Sequence, residues 1–282
     1  MSAAPPEKRT SGLQLDTRQR AMLQEMGIRV WLPAPTPAAT PHAVPVKAPP
    51  RRAIPIHPAA PAAPAPAATP MPEAAAAARA ARAARIARMD WDALEREAAQ
   101  CRACGLCAAR HNVVFGAGSR RARWLVVGEA PGEQEDLQGA PFVGAAGQLL
   151  DAMLAALHLS RQSNEAEHAV YIANTLKCRP PGNRNPHPAE TALCAPFLQR
   201  QIALLAPAVI LALGRFAAQA LLGSTDAIGR LRARVHRWHG IPLVASYHPA
   251  YLLRTPHAKA AAWSDLCLAL HAVHTQNPAE AP

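Results

Sequence analysis

The sequence predicts an α/β fold: three layers, α/β/α, around a central, mostly parallel four-stranded sheet, preceded by a disordered N-terminal arm. Three observations carry this. Short apolar runs alternate with helical patterns from Asp90 to Val273, the order that right-handed crossovers turn into a parallel sheet covered on both faces. The first run, Trp124-Leu125-Val126-Val127, leads into Gly128-Glu129-Ala130-Pro131-Gly132, a strand-to-loop turn at a strand's carboxyl end, where open α/β sheets place their ligands. Upstream, fourteen of the 29 prolines fall between Pro33 and Pro72. A segment alternating Pro and Ala has no wide apolar face whose burial could offset the entropy of ordering.

In chain order, Thr17 to Leu32 (TRQRAMLQEMGIRVWL) is a short helical pattern broken at Gly27, and it reads as a docking peptide within residues 1–32. Residues 33–89 are a Pro/Ala-rich linker and an Ala/Arg-rich segment. The latter, Glu73 to Met89, has high helix propensity but no apolar stripe, which predicts a solvated helix. The folded domain is expected over 90–275, with a disordered tail at 276–282. Asp90 can cap a helix through Ala99 whose Trp91, Leu94 and Ala98 share one face. Strands are expected near Trp124 to Val127, Val170 to Asn174, Val209 to Leu213 and Leu243 to Ser246. Helices are expected near Gly147 to Leu157, Glu190 to Leu205, Arg215 to Leu222 and Lys259 to Val273. On the last, Cys267 shares helical spacing with Trp263 and Leu270 and reads as a small core residue.

The formal charge of +11 suits a polyanionic partner, because phosphate-neutralising lysines and arginines gain from counterion release. No run of about 18 uninterrupted apolar residues appears, so no membrane is expected. The start, MSAAPPEKRTSG, lacks the apolar core of a secretory signal, so a cytoplasmic location is expected. In a reducing compartment the six cysteines are better metal ligands than disulfide partners. Cys101-x-x-Cys104 is followed by Cys178 after 73 residues and by Cys194 after 15 more. Four thiolates can hold Zn²⁺ or a [4Fe–4S] cluster, and spacing does not separate the two. Cys107 makes CRACGLC readable as three ligands.

The loop motif continues as GEAPGEQEDLQGAPFVGAAGQLL and is joined by NTLKCRPPGNRNP, ALGRFAAQALLG and YHPAYLLR. In this order the set resembles the type 4 uracil-DNA glycosylases, the iron–sulfur branch of the uracil-DNA glycosylase superfamily, from about Trp91 to His271. That resemblance implies a [4Fe–4S] cluster on Cys101, Cys104, Cys178 and Cys194, with Cys107 outside the set, and a structural role for the cluster. It implies a monomer that releases uracil from uracil-containing DNA and leaves an abasic site, in base excision repair, without lyase activity.

The resemblance also assigns roles. Glu129 orients or activates the attacking water, and His248 donates to the uracil O2 as negative charge develops there. Phe142 stacks on the flipped base and Asn174 reads its O4 and N3–H edge. Ala130 and Asn183 contact the base. Glu135 either lies against the uracil or braces its loop, so which carboxylate handles the water stays open. Tyr251, Leu252, Leu253 and Arg254 face DNA, with Leu252 and Leu253 as candidate wedges and one of them capping the core. Lys259, Arg179, Arg184 and Arg215 are further phosphate candidates.

A related branch traps the abasic sugar through a histidine in a basic insertion, which KCRPPGNRNPH lacks. Another reading is a non-catalytic, glycosylase-like replication subunit. RQRAMLQEMGIRVWLP resembles the amino-terminal peptide of the clamp-loader psi subunit, so a replication partner docking on the arm is expected alongside catalysis.

Overall fold

Asp90 starts a helix: its carboxylate accepts the main-chain N–H of Ala93 and caps Trp91–Ala99. The structure, a computed structural model, describes residues 73–275. The expected docking peptide, the Pro/Ala linker and the tail from 276 lie outside the described residues. In chain order the elements are α1 (Glu73–Ile86), α2 (Trp91–Ala99), β1 (Ala117–Gly118), β2 (Trp124–Gly128), α3 (Glu133–Gln138), α4 (Ala145–Ala155), β3 (Val170–Asn174), α5 (Pro188–Leu205), β4 (Val209–Leu213), α6 (Arg215–Leu222), α7 (Ile228–Leu231), β5 (Val235–Trp238), β6 (Ile241–Ser246), α8 (Pro249–Arg254) and α9 (Lys259–His274).

The sheet order is β1-β3-β2-β4-β6-β5. The four expected strands, β2, β3, β4 and β6, pair in parallel. Each buries both faces, because alternate side chains enter opposite layers. Leu125, Val127, Ile210 and Leu243 join Ile202 of α5 and Ala217 of α6, while Trp124, Val126, Leu211 and Val244 join Leu150 of α4 and Leu266 of α9. This is the three-layer α/β/α arrangement.

Four departures have physical causes. Two antiparallel edge strands widen the sheet to six: β1 pairs with β3 and β5 with β6. β5 returns into β6 through His239-Gly240, both with positive φ, the two-residue hairpin turn that suits sheet twist. Helix α1 is not simply solvated: Ile86 is buried with Leu94, Phe115 and Phe197, and the Arg82 guanidinium lies 5.0 Å from the Phe197 ring centre. One isoleucine and the long stem of an arginine replace the apolar stripe. Cys267 is exposed rather than in the core, the packed face of α9 running through Ala262, Leu266, Ala269 and Val273. No helix among the described residues is long and apolar enough to cross a membrane.

Candidate active site

The carboxyl ends of β2, β3 and β6 open into one cleft of about 490 Å³ lined by Glu129, Ala130, Glu135, Phe142, Asn174, Asn183, His248, Tyr251 and Arg254, among others. That volume suits a small molecule or a single extruded nucleotide. The parallel register sets Gly128 of β2 beside Asn174 of β3. A Cβ on Gly128 would stand 2.3 Å from Asn174 Oδ1 and 2.8 Å from the Phe142 ring, so only glycine lets the two side chains meet over the strand end. Asn174 is 3 % exposed, and its amide makes no side-chain hydrogen bond among the described residues. A buried amide normally finds partners; this one lines the cleft with its hydrogen-bonding edge uncommitted.

Phe142 has φ 54°, a left-handed backbone uncommon outside glycine. Its carbonyl packs on Gly147 where a Cβ would sit 1.8 Å away, and Arg161 Nη1 donates to the neighbouring Pro141 carbonyl at 2.8 Å. Glu135 fixes the same loop from within: its carboxylate accepts from Gly132 N at 3.1 Å and from Val143 N at 3.3 Å. It is therefore a loop brace that also lines the cleft.

His248 caps α8, its Nδ1 accepting the Ala250 N–H at 3.2 Å. That bond commits Nδ1 as acceptor and leaves the proton on Nε2. Burial, reinforced by the charge of Arg254, lowers the imidazole pKa to about 4, so the ring is neutral near pH 7. The ring stacks on Phe142 with centroids 5.4 Å apart. Opposite, burial raises the Glu129 carboxyl to about 7 against the pull of Arg215. Its main-chain carbonyl accepts from Thr175 Oγ1 at 2.5 Å and Leu176 N at 3.1 Å, tying the β2 loop to the β3 loop.

Around the cleft, Asn183 has φ 54° and accepts Arg179 Nε at 2.7 Å. Arg184 is engaged by both oxygens of Glu190. Arg254 is exposed and forms no ion pair with a carboxylate among the described residues, which leaves it available to an anion. Tyr251 and Leu253 are exposed, but Leu252 is not: at 1 % exposure it packs with Ala258, Ala262, Leu149 and Met153. The expectation that Leu252 faces DNA is corrected. On α8, residues 251 and 253 point away from the core that 252 enters.

A second, internal cavity is lined by Cys101, Cys104, Cys107, Cys178 and Cys194, with Arg110, Lys177, Leu106 and Phe197. It joins the segment after α2, the segment after β3, and α5. Sequence reasoning missed its basic residues. Arg82 Nη2 and Arg110 Nη1 each lie 3.3 Å from a sulfur, of Cys101 and Cys178 respectively, positioned to donate to a thiolate. Arg82 was hidden in an Ala/Arg run, and nothing local marked Arg110. Burial raises the Cys178 thiol, and raises Cys194 to about 12; a bound cationic group would reverse that. The thiols are spread around the cavity wall, and no three His, Cys, Asp or Glu among the described residues converge on a single ion position. Five cysteines and no carboxylate line the cavity, a soft donor set whose chemistry suits zinc or an iron–sulfur cluster.

Residues 115–267 match the family model of the uracil DNA glycosylase superfamily. The chain is 44 % identical over 182 residues to a type-4 uracil-DNA glycosylase of Archaeoglobus fulgidus, covering 62 % of this chain and 88 % of that one. It is 42 % identical over 165 residues to a type-4 uracil-DNA glycosylase of Thermotoga maritima, covering 58 % and 83 %. Similarity extends to a type-5 uracil-DNA glycosylase of Thermus thermophilus, 32 % identical over 195 residues, covering 57 % and 87 %.

Proposed function

Because the chain belongs to the uracil-DNA glycosylase superfamily, and stands within it beside the type-4 enzymes, we propose that its cleft hydrolyses the N-glycosidic bond of deoxyuridine in DNA. The products are free uracil and an abasic site on an unbroken strand. The observation that carries this is the uncommitted Asn174 amide, which shares the cleft with Phe142 and His248. One donor and one acceptor on a rigid strand end match the O4 and N3–H of uracil and mismatch cytosine.

In this reading the extruded base lies on Phe142, its edge on Asn174. His248 donates from neutral Nε2–H toward O2 as charge gathers on the leaving base. Glu129, as carboxylate, orients the water that attacks C1′. Ala130 and Asn183 border the base, and Glu135 holds the loop that carries Phe142. Tyr251, Leu253 and Arg254 meet the DNA backbone and stack. Among the described residues no lysine lines the cleft to form a Schiff base, so lyase chemistry is not expected.

Cys101, Cys104, Cys178 and Cys194 would hold a [4Fe–4S] cluster, with Arg82 and Arg110 beside its sulfurs. When bound, the cluster supplies a covalent cross-link between distant segments, since hydrolysis moves no electrons. The protein acts as a monomer in the cytoplasm, and residues 1–32 would dock a replication protein.

The test is an oligonucleotide bearing one uracil, incubated with iron-loaded protein without added metal or ATP and then treated with alkali. Breakage at the uracil position is expected. Its absence at excess enzyme, with iron confirmed, contradicts the proposal.

A further inference from the structure

Lys177 has no part in the chemistry above, yet it is 2 % exposed and among the largest fully buried side chains. Its Nζ donates to the main-chain carbonyl of Asn174 at 2.9 Å and to Gln201 Oε1 at 2.6 Å. Gln201 is itself fully buried and fixed, its Nε2 donating to the Phe115 carbonyl at 3.0 Å. Lys177 forms no ion pair with a carboxylate among the described residues; the groups able to bear negative charge beside it are the thiols of Cys178 and Cys194. It lines the cysteine cavity. An ammonium buried without a counter-charge is costly, and the lysine stands between that cavity and the last residue of β3.

We propose that Lys177 is a positioning residue for uracil recognition: its ammonium, held against metal-bound thiolates, anchors the Asn174 carbonyl and so sets how the Asn174 amide meets the base. The inference rests on the cluster and Asn174 assignments made above. Four thiolates around an iron–sulfur core leave net negative charge in the cavity, which supplies the missing counter-charge. Occupancy of the cysteine cavity then reaches the uracil edge through one side chain, with no electron transferred.

The experiment uses full-length, iron-loaded protein carrying Lys177→Met, which keeps length and removes the donor. Two affinities are measured, for free uracil as competing ligand and for DNA containing a tetrahydrofuran abasic analogue, which has no base to read. Affinity for uracil is expected to fall about tenfold or more, the scale of one charge-assisted hydrogen bond, while the tetrahydrofuran complex stays within about twofold of wild type. Adding Lys177→Met to Asn174→Ala is expected to weaken uracil binding no further, since the two act in series. The reduction potential of the cluster is expected to move negative on loss of a buried positive charge. Unchanged uracil affinity, or equal loss for both ligands, overturns the proposal. Wild-type protein without iron would instead refute the cluster assignment, and normal uracil binding by iron-loaded Asn174→Ala would refute the reading of Asn174. If Lys177→Met does not retain its iron, Gln201→Met removes the other acceptor away from the cysteines. The same split is expected there, and its absence again overturns the proposal.

Discussion

His248 and Glu129 carry opposite consequences of the same burial. The imidazole, with its pKa lowered to about 4, stays neutral and keeps its Nε2 proton across the working range, whereas the carboxyl, raised to about 7, changes state within it. If Glu129 orients water as carboxylate, the single-turnover rate should rise through about pH 7, and Glu129→Gln should be slow with that limb gone. No limb from His248 is expected between pH 5 and 8. Stability gives an independent sign. The Glu129 pKa is higher folded than its ordinary 4.5, so the folded state binds the proton more tightly and loses stability as pH rises from about 4.5 through 7. Thermal melts should show Glu129→Gln gaining on wild type at pH 8 and not at pH 4. His248→Ala should raise the barrier by about 2.7–4 kcal/mol, the usual cost of one oxyanion donor; near wild-type single-turnover rates would remove His248 from the mechanism. These residues were legible because each sits at the end of an apolar run, in a loop whose composition served no packing purpose. Their protonation was not legible, because it is set first by burial, which only the folded cleft creates, with smaller contributions from Arg254 at His248 and, in the opposite sense, Arg215 at Glu129.

Among the elements, β2, β3, β4 and β6 were legible because strands buried on both faces read as unbroken apolar runs. The edge strands were not: β1 is the dipeptide Ala117–Gly118, and β5 reads Val-His-Arg-Trp, whose alternating partial exposure carries little apolar signal. Helix α1 showed its propensity and hid its docking, which depends on Ile86 and on Arg82 reaching Phe197 and Cys101. The cysteine centre is likewise a property of elements, joining the end of α2, the loop after β3 and the middle of α5. Cys178→Ala should lose the broad absorption near 400 nm expected of a thiolate-held cluster, and much of the thermal stability, while Cys107→Ala keeps both. Bleaching by Cys107→Ala and not by Cys178→Ala would exchange their roles.

For the whole molecule, the packing of α1 decides where the chain can be cut. Residues 90–275 were the expected domain, but Ile86 is fully buried against α2 and α5, and Arg82 donates to the Leu193 carbonyl at 2.8 Å. A protein beginning at residue 73 should melt near the full-length protein and excise uracil from short oligonucleotides at a similar rate. One beginning at residue 90 should be less stable by roughly the 2–5 kcal/mol of a large core truncation. Equal melting of the two would show α1 to be dispensable. The boundary was illegible because an Ala/Arg helix announces its conformation and not its partner.

In the proposed reaction the cleft at the carboxyl ends of β2, β3 and β6 hydrolyses the bond between uracil and deoxyribose and leaves the strand unbroken. Mass spectrometry of a single-uracil strand after stoichiometric reaction with iron-loaded protein, without alkali, reads this directly. Free uracil is expected together with one unbroken strand carrying an abasic sugar, and neither product from Asn174→Ala on the same timescale. A strand broken at the uracil position, base released equally from cytosine, or undiminished release by Asn174→Ala would contradict it.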